Sequence, residues 1–112
     1  MALSHPDYSV LDYDDMAKAI GLKPKHIPLL LSSFLEESEA ILPKLKTSIQ
    51  NNNYDEIRAA VHSIKGSSGN MRFNELYEMA KEMELSAADA NDSFEYTEYL
   101  EAITTAVATI KI

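Results

Sequence analysis

Residues 53–70 read Asn53-Tyr54-Asp55-Glu56-Ile57-Arg58-Ala59-Ala60-Val61-His62-Ser63-Ile64-Lys65-Gly66-Ser67-Ser68-Gly69-Asn70. Ile57, Val61, Ile64 and Ser68 recur at helical spacing, and Met71 continues the stripe. Asn53 followed by Glu56 is a capping box, so the spacing predicts a helix starting at Tyr54. Strict period-two alternation over strand length is found neither here nor elsewhere in the chain.

The segments on either side repeat this pattern. Asn74 to about Ala90 places Leu76, Met79, Ala80, Met83 and Ala87 on one face of a fourth helix. Asp92 with Glu95 predicts another capping box, opening a fifth helix that buries Tyr96, Tyr99, Leu100, Ile103, Val107 and Ile110. Upstream, a long second helix begins between Pro24 and Pro28, where proline costs least, and runs to about Gln50. Pro43 inside it is expected to bend it, because the ring removes a donor and crowds the carbonyl of Glu39. A short first helix starts at an Asp12 N-cap, with Leu11 and Met16 as a hydrophobic staple, and ends at Gly21. The expected fold is all-α, an antiparallel up-down-up-down four-helix bundle with a short extra N-terminal helix capping one end. Residues 1–9 are expected to be a flexible tail of this single domain, 1–112.

Composition narrows the function classes. Ten basic and eighteen acidic residues give a net charge of −8, a balance that disfavours phosphate backbones and hence nucleic acid. The absence of cysteine removes disulfides, zinc knuckles and thiol chemistry, and makes a reducing cytoplasm the default location. The longest apolar run, near Ile27–Leu31, is far short of a membrane span. Residues 1–10 carry His5, Pro6 and Asp7 and lack the apolar block of a signal peptide.

One face of the third helix carries the chemistry. With the apolar stripe centred near Ile57, His62 lies roughly 140° round the helix, Lys65 roughly 80°, Arg58 roughly 100° and Gly69 roughly 120° on the same flank. Gly66 falls roughly opposite the core. Two glycines within a helix interior cost about 1 kcal/mol each relative to alanine, and close approach of another molecule is a physical reason to accept that cost. An outward imidazole, largely unprotonated near neutral pH, is a nucleophile. An ammonium one turn on can stabilise the oxygens of a phosphoryl group carried on it. Set against this is the plainer reading of a solvated histidine beside solubilising charges.

His62-x-x-Lys65-Gly66-Ser67-Ser68-Gly69-Asn70 resembles the signature of histidine-containing phosphotransfer (HPt) domains, the relay modules of two-component signalling. Phe34-Leu35 followed by acids, and Leu76-x-x-Met79-Ala80-x-x-Met83-Glu84, fall at family-like spacing. The resemblance implies that His62 accepts a phosphoryl group on Nε2 from a receiver-domain aspartyl phosphate and hands it to another receiver. It also implies that Lys65 balances the phosphoryl charge and that Gly66 lets the receiver loops come close. Glu84 matches a position next to the imidazole in the family, where it is expected to accept a hydrogen bond from Nδ1–H; an exposed carboxylate without a role is the alternative. Two positions depart from the pattern. Arg72 stands where the family commonly has glycine, so the turn after the third helix is expected to differ in shape. Ala80 replaces a frequent cysteine, a change neutral for packing.

The resemblance implies partners of two kinds, response-regulator receiver domains and a hybrid histidine kinase, with magnesium supplied by the receiver and no kinase activity in this chain. Arg58, Gly66 and Gly69 are expected to face the partner. Met16, Ile20, Ile27 and Leu31 are candidate docking walls, divided between wall and core in a way periodicity leaves open. No metal-binding pair exists around His62, since Arg58 and Gly66 occupy the positions one turn away. The phosphoacceptor segment of a chemotaxis-type kinase shares the His-x-x-Lys-Gly pattern, but such a segment normally opens a much longer chain. A helical adaptor with an inert histidine is the remaining alternative.

Overall fold

The computed structural model describes all residues from Met1 to Ile112 and contains helices but no strands. The α-helices are α1 (Tyr13–Ile20), α2 (Ile27–Gln50), α3 (Tyr54–Asn70), α4 (Asn74–Ala88) and α5 (Tyr96–Ala108). A single 3-10 turn, Pro24–His26, leads into α2. Asp12 caps α1 by accepting from the Asp15 amide, and Asn53 caps α3 by accepting from the Glu56 amide. The return half of the Asn53 capping box is not made. Glu56 instead accepts from Ser48 Oγ at 3.2 Å, tying the start of α3 to the end of α2. Pro43 lies within an unbroken α2, at an exposed position.

Two expected boundaries shift. The fourth helix stops at Ala88, short of Ala90. The predicted Asp92 cap is absent: Glu95 occupies the N-cap position of α5 without a side-chain cap bond. Asn91 closes the preceding turn instead, its Oδ1 accepting from the Ser93 amide and hydroxyl. Packing explains the shift, because Phe94 stacks on Tyr96 and Tyr99 at 4.9 and 4.6 Å and carries residues 92–95 with it.

Packing follows the amphipathic stripes. α3 packs against α2 and α4, while α5 packs against α2 and α4, so the four long helices close a ring. Inside it lie Ile27, Leu31, Leu45, Ile57, Val61, Leu76, Met79, Met83, Tyr99 and Ile103, none more than 1% exposed. α1 rests on the N-terminal end of α2. The first nine residues, expected to be a loose tail, lie against the bundle. Tyr8 is buried against Phe73, ring centroids 4.4 Å apart. Its hydroxyl donates to Glu75 and its amide to Thr109 Oγ1, and the Ala2 amide donates to Glu82 at 2.7 Å. A tail of average polarity carries no periodic signal, so this single aromatic anchor escapes a reading by stripes.

Four helices end in the same way. Gly21, Asn52, Arg72 and Ala90 take φ of 87°, 51°, 62° and 50°, and in each case the next amide returns to a carbonyl of the last turn, the Schellman arrangement. Glycine and asparagine suit that left-handed conformation, whereas arginine and alanine are strained in it. Arg72 therefore does not reshape the turn after α3, as its identity suggested. It adopts the glycine-type conformation, with the Phe73 amide bonded to Ser68 O at 3.0 Å, while its guanidinium reaches Ala19 O at 3.4 Å. Relief of this strain, less the entropy glycine adds to the unfolded chain, leads us to expect Arg72→Gly to stabilise by about 0.5–1 kcal/mol. Thermal melts of the two proteins check this, and a lower midpoint for the variant would refute the strain argument.

Candidate functional site

His62 stands on α3 with its side chain 71% exposed, and its Nδ1 lies 2.6 Å from Glu84 Oε2 on α4. The other oxygen of Glu84 takes the Lys65 ammonium at 2.5 Å. Glu84 is thus the hub of the site: one carboxylate, 18% exposed, bridging an imidazole and an ammonium one turn apart on the facing helix. The local sequence explains the register. Ile57, Val61, Ile64 and Ser68 bury one side of α3, and Met79, Met83 and Ala87 bury one side of α4, so His62, Lys65 and Glu84 are left at the rim where the two helices meet.

The electrostatics of the trio are internally consistent. The Lys65 hydrogen bond holds the Glu84 carboxyl below its ordinary value, partial burial opposes this, and the His62 hydrogen bond adds to the lowering. Lys65 is correspondingly raised, chiefly by its hydrogen bond to Glu84. An ionised carboxylate only accepts hydrogen bonds, so the proton between Glu84 and a neutral His62 belongs to Nδ1. Nε2 then carries the free lone pair, on the part of the ring that faces away from Glu84.

Other expected site residues divide into those at the site and those in the core. Gly66 is open: a Cβ built there meets nothing within 4 Å. Arg58 is exposed and shares a surface depression with Asp55, Ala59, His62 and Glu84. Met16 and Ile20 are partly exposed on α1. Ile27 and Leu31, proposed as docking walls, are fully buried and belong to the core. They share one core cluster with Ala17 of α1 and the inward residues of the other helices. Gly69 also needs correction. A Cβ there would lie 3.3 Å from Tyr77 Cδ2, so its bareness accommodates the α4 ring and does not clear space for a visitor. Tyr77 itself was not singled out in the sequence, because nothing in the spacing of α4 shows which glycine of α3 its ring will cover. No group of three His, Asp, Glu or Cys side chains comes together to hold a metal, and no helix is long and apolar enough to cross a membrane.

A model of one family, the Hpt domain, matches residues 29–110, which takes in α3, α4 and α5 entire and most of α2. No curated protein and no solved structure matches the chain. Hpt domains serve histidine phosphotransfer in phosphorelays as carriers of the phosphoryl group and are not kinases. With its matched span covering well over half the sequence, and with an exposed histidine held at the rim of an all-helical fold, the chain belongs to the Hpt domain family.

Proposed function

We propose that this chain is a phosphorelay intermediate in which His62 Nε2 takes a phosphoryl group from the aspartyl phosphate of a receiver domain and passes it to a second receiver. The observation carrying this reading is the orientation of His62: Nδ1 bonded to Glu84, the ring otherwise in solvent. In the forward step the P–O bond of the acyl phosphate breaks, the carboxylate leaves with its electron pair, and the Nε2–P bond forms. The imidazole becomes cationic as it bonds phosphorus, and Glu84 stabilises that charge through the Nδ1 proton. Lys65 keeps Glu84 ionised for this task. The reverse step onto a second receiver retraces the same path.

An antiparallel up-down-up-down bundle would hold this rim rigidly while Gly66, Arg58, Met16 and Ile20 meet the receiver. The receiver would bring the magnesium and the remaining catalytic groups, with a hybrid histidine kinase upstream and the cytoplasm as the setting. A charge-assisted hydrogen bond is worth about 1.5–3 kcal/mol. If Glu84 exerts it mainly on the cationic imidazole, Glu84→Ala is expected to take label from a phosphorylated receiver about 10- to 100-fold more slowly. The wild-type label should be acid-labile, base-stable and located on His62. Absence of label, or label on another residue, overturns the reading.

A further inference from the structure

Lys65, the cation expected to balance the phosphoryl charge, is already committed. Its ammonium is bonded to Glu84 at 2.5 Å, and the two side chains are 24% and 18% exposed. With neutral His62, ionised Glu84 and charged Lys65, the trio sums to zero, in a chain whose formal charge is −8. A phosphoryl group arriving on Nε2 adds about −1.5 to −2 at neutral pH. If Lys65 turned toward that group, it would leave the Glu84 carboxylate unpaired beside a new anion. It would also release the hydrogen bond that helps hold Glu84 ionised under the imidazole.

Arg58 is not committed. The ion pairs of the protein are the two on Glu84, and the Arg58 guanidinium joins neither. It lies one helical turn before His62, the separation at which side chains on a helix are neighbours. It also lines the depression that holds His62 and Glu84. The acids facing that depression are Asp55 and Glu84. Asp55 sits in the first turn of α3, where the helix dipole favours its charge, and Glu84 is taken by Lys65. Turning Arg58 toward a phosphoryl group therefore breaks no ion pair, and its planar fork can bond two phosphoryl oxygens at once.

We propose that Arg58, and not Lys65, supplies the cation for the phosphoryl group on His62, with Lys65 as a positioning residue acting through Glu84. This inference rests on His62 being the acceptor. Phosphoramidate is a probe that needs no receiver: its P–N bond breaks, ammonia leaves and the phosphoryl group forms its bond to Nε2. ³¹P NMR of the phosphorylated full chain then reads the second ionisation of the phosphoryl group as a function of pH. Arg58→Gln is expected to raise that ionisation by roughly 0.5–1 unit, discounted for solvent exposure, and Arg58→Lys to raise it less. Lys65→Gln, which leaves the Glu84 carboxylate unpaired, is expected to raise it by only about 0.2–0.3 unit, below the shift of a direct ion pair. That variant should change the chemical shift of the Nδ1 proton of unphosphorylated His62. A larger phosphoryl shift in Lys65→Gln than in Arg58→Gln overturns the assignment of Arg58 alone. A chain that takes no phosphoryl group on His62 overturns the acceptor reading, and this inference with it.

Discussion

His62→Gln is expected to lose phosphoryl acceptance altogether while melting within about 0.5 kcal/mol of the wild type, as surface substitutions commonly do. Glutamine fills a similar volume, and the side chain it replaces is 71% exposed, so little packing is lost. An amide nitrogen has no available lone pair to attack phosphorus, so label from a phosphorylated receiver should fall to background. Lys65 and Glu84 still pair in the variant, which isolates the nucleophile from the electrostatics around it. The check is a labelling time course beside a thermal melt of the same preparation. Label retained on a folded His62→Gln protein would place the acceptor elsewhere, and label lost together with the fold would require a repeat with His62→Asn.

Leu31→Ala is expected to do the opposite, damaging the fold and sparing the chemistry. Leu31 is fully buried, and removing such a side chain costs about 2–5 kcal/mol in transfer energy plus the cavity left behind. For a domain of this size that lowers the melting midpoint by on the order of 10 °C. Below the transition, the folded fraction should accept label at the wild-type rate and with the same dependence on receiver concentration. Weaker receiver binding with an unchanged midpoint would restore Leu31 to the docking surface.

Helices were legible in the sequence to within a few residues because their signals are local. The Asp12 and Asn53 caps, Pro24 and Pro28 around the start of α2 and the stripes of α3 and α4 each act within a turn or two of chain. The position of His62 was legible for the same reason, since angle around one helix follows from spacing alone. What could not be read were relations between helices. Ile27 and Leu31 look the same in a stripe whether neighbouring elements cover them or leave them open. Gly69 looks like Gly66 until the Tyr77 ring is placed over it. The Glu84 bridge to both His62 and Lys65 depends on the register of α3 against α4, of which the sequence suggested the histidine half and missed the lysine half. Arg72 was misjudged from its residue type, because the Schellman bonds around it outweigh its own preference.

The hub joins residues only 22 apart in the chain, across the short Met71–Phe73 connection, whereas Ala2 and Tyr8 reach partners 80 and 101 residues away. Closing the longer loop costs about 1 kcal/mol more in chain entropy, and few side chains repay it. The first nine residues nevertheless seat on the α3–α4 hairpin, Tyr8 against Phe73 and Glu75 and Ala2 against Glu82. The chemistry of the acceptor is set by one hairpin's register, and the first residues of the chain pack on that same hairpin.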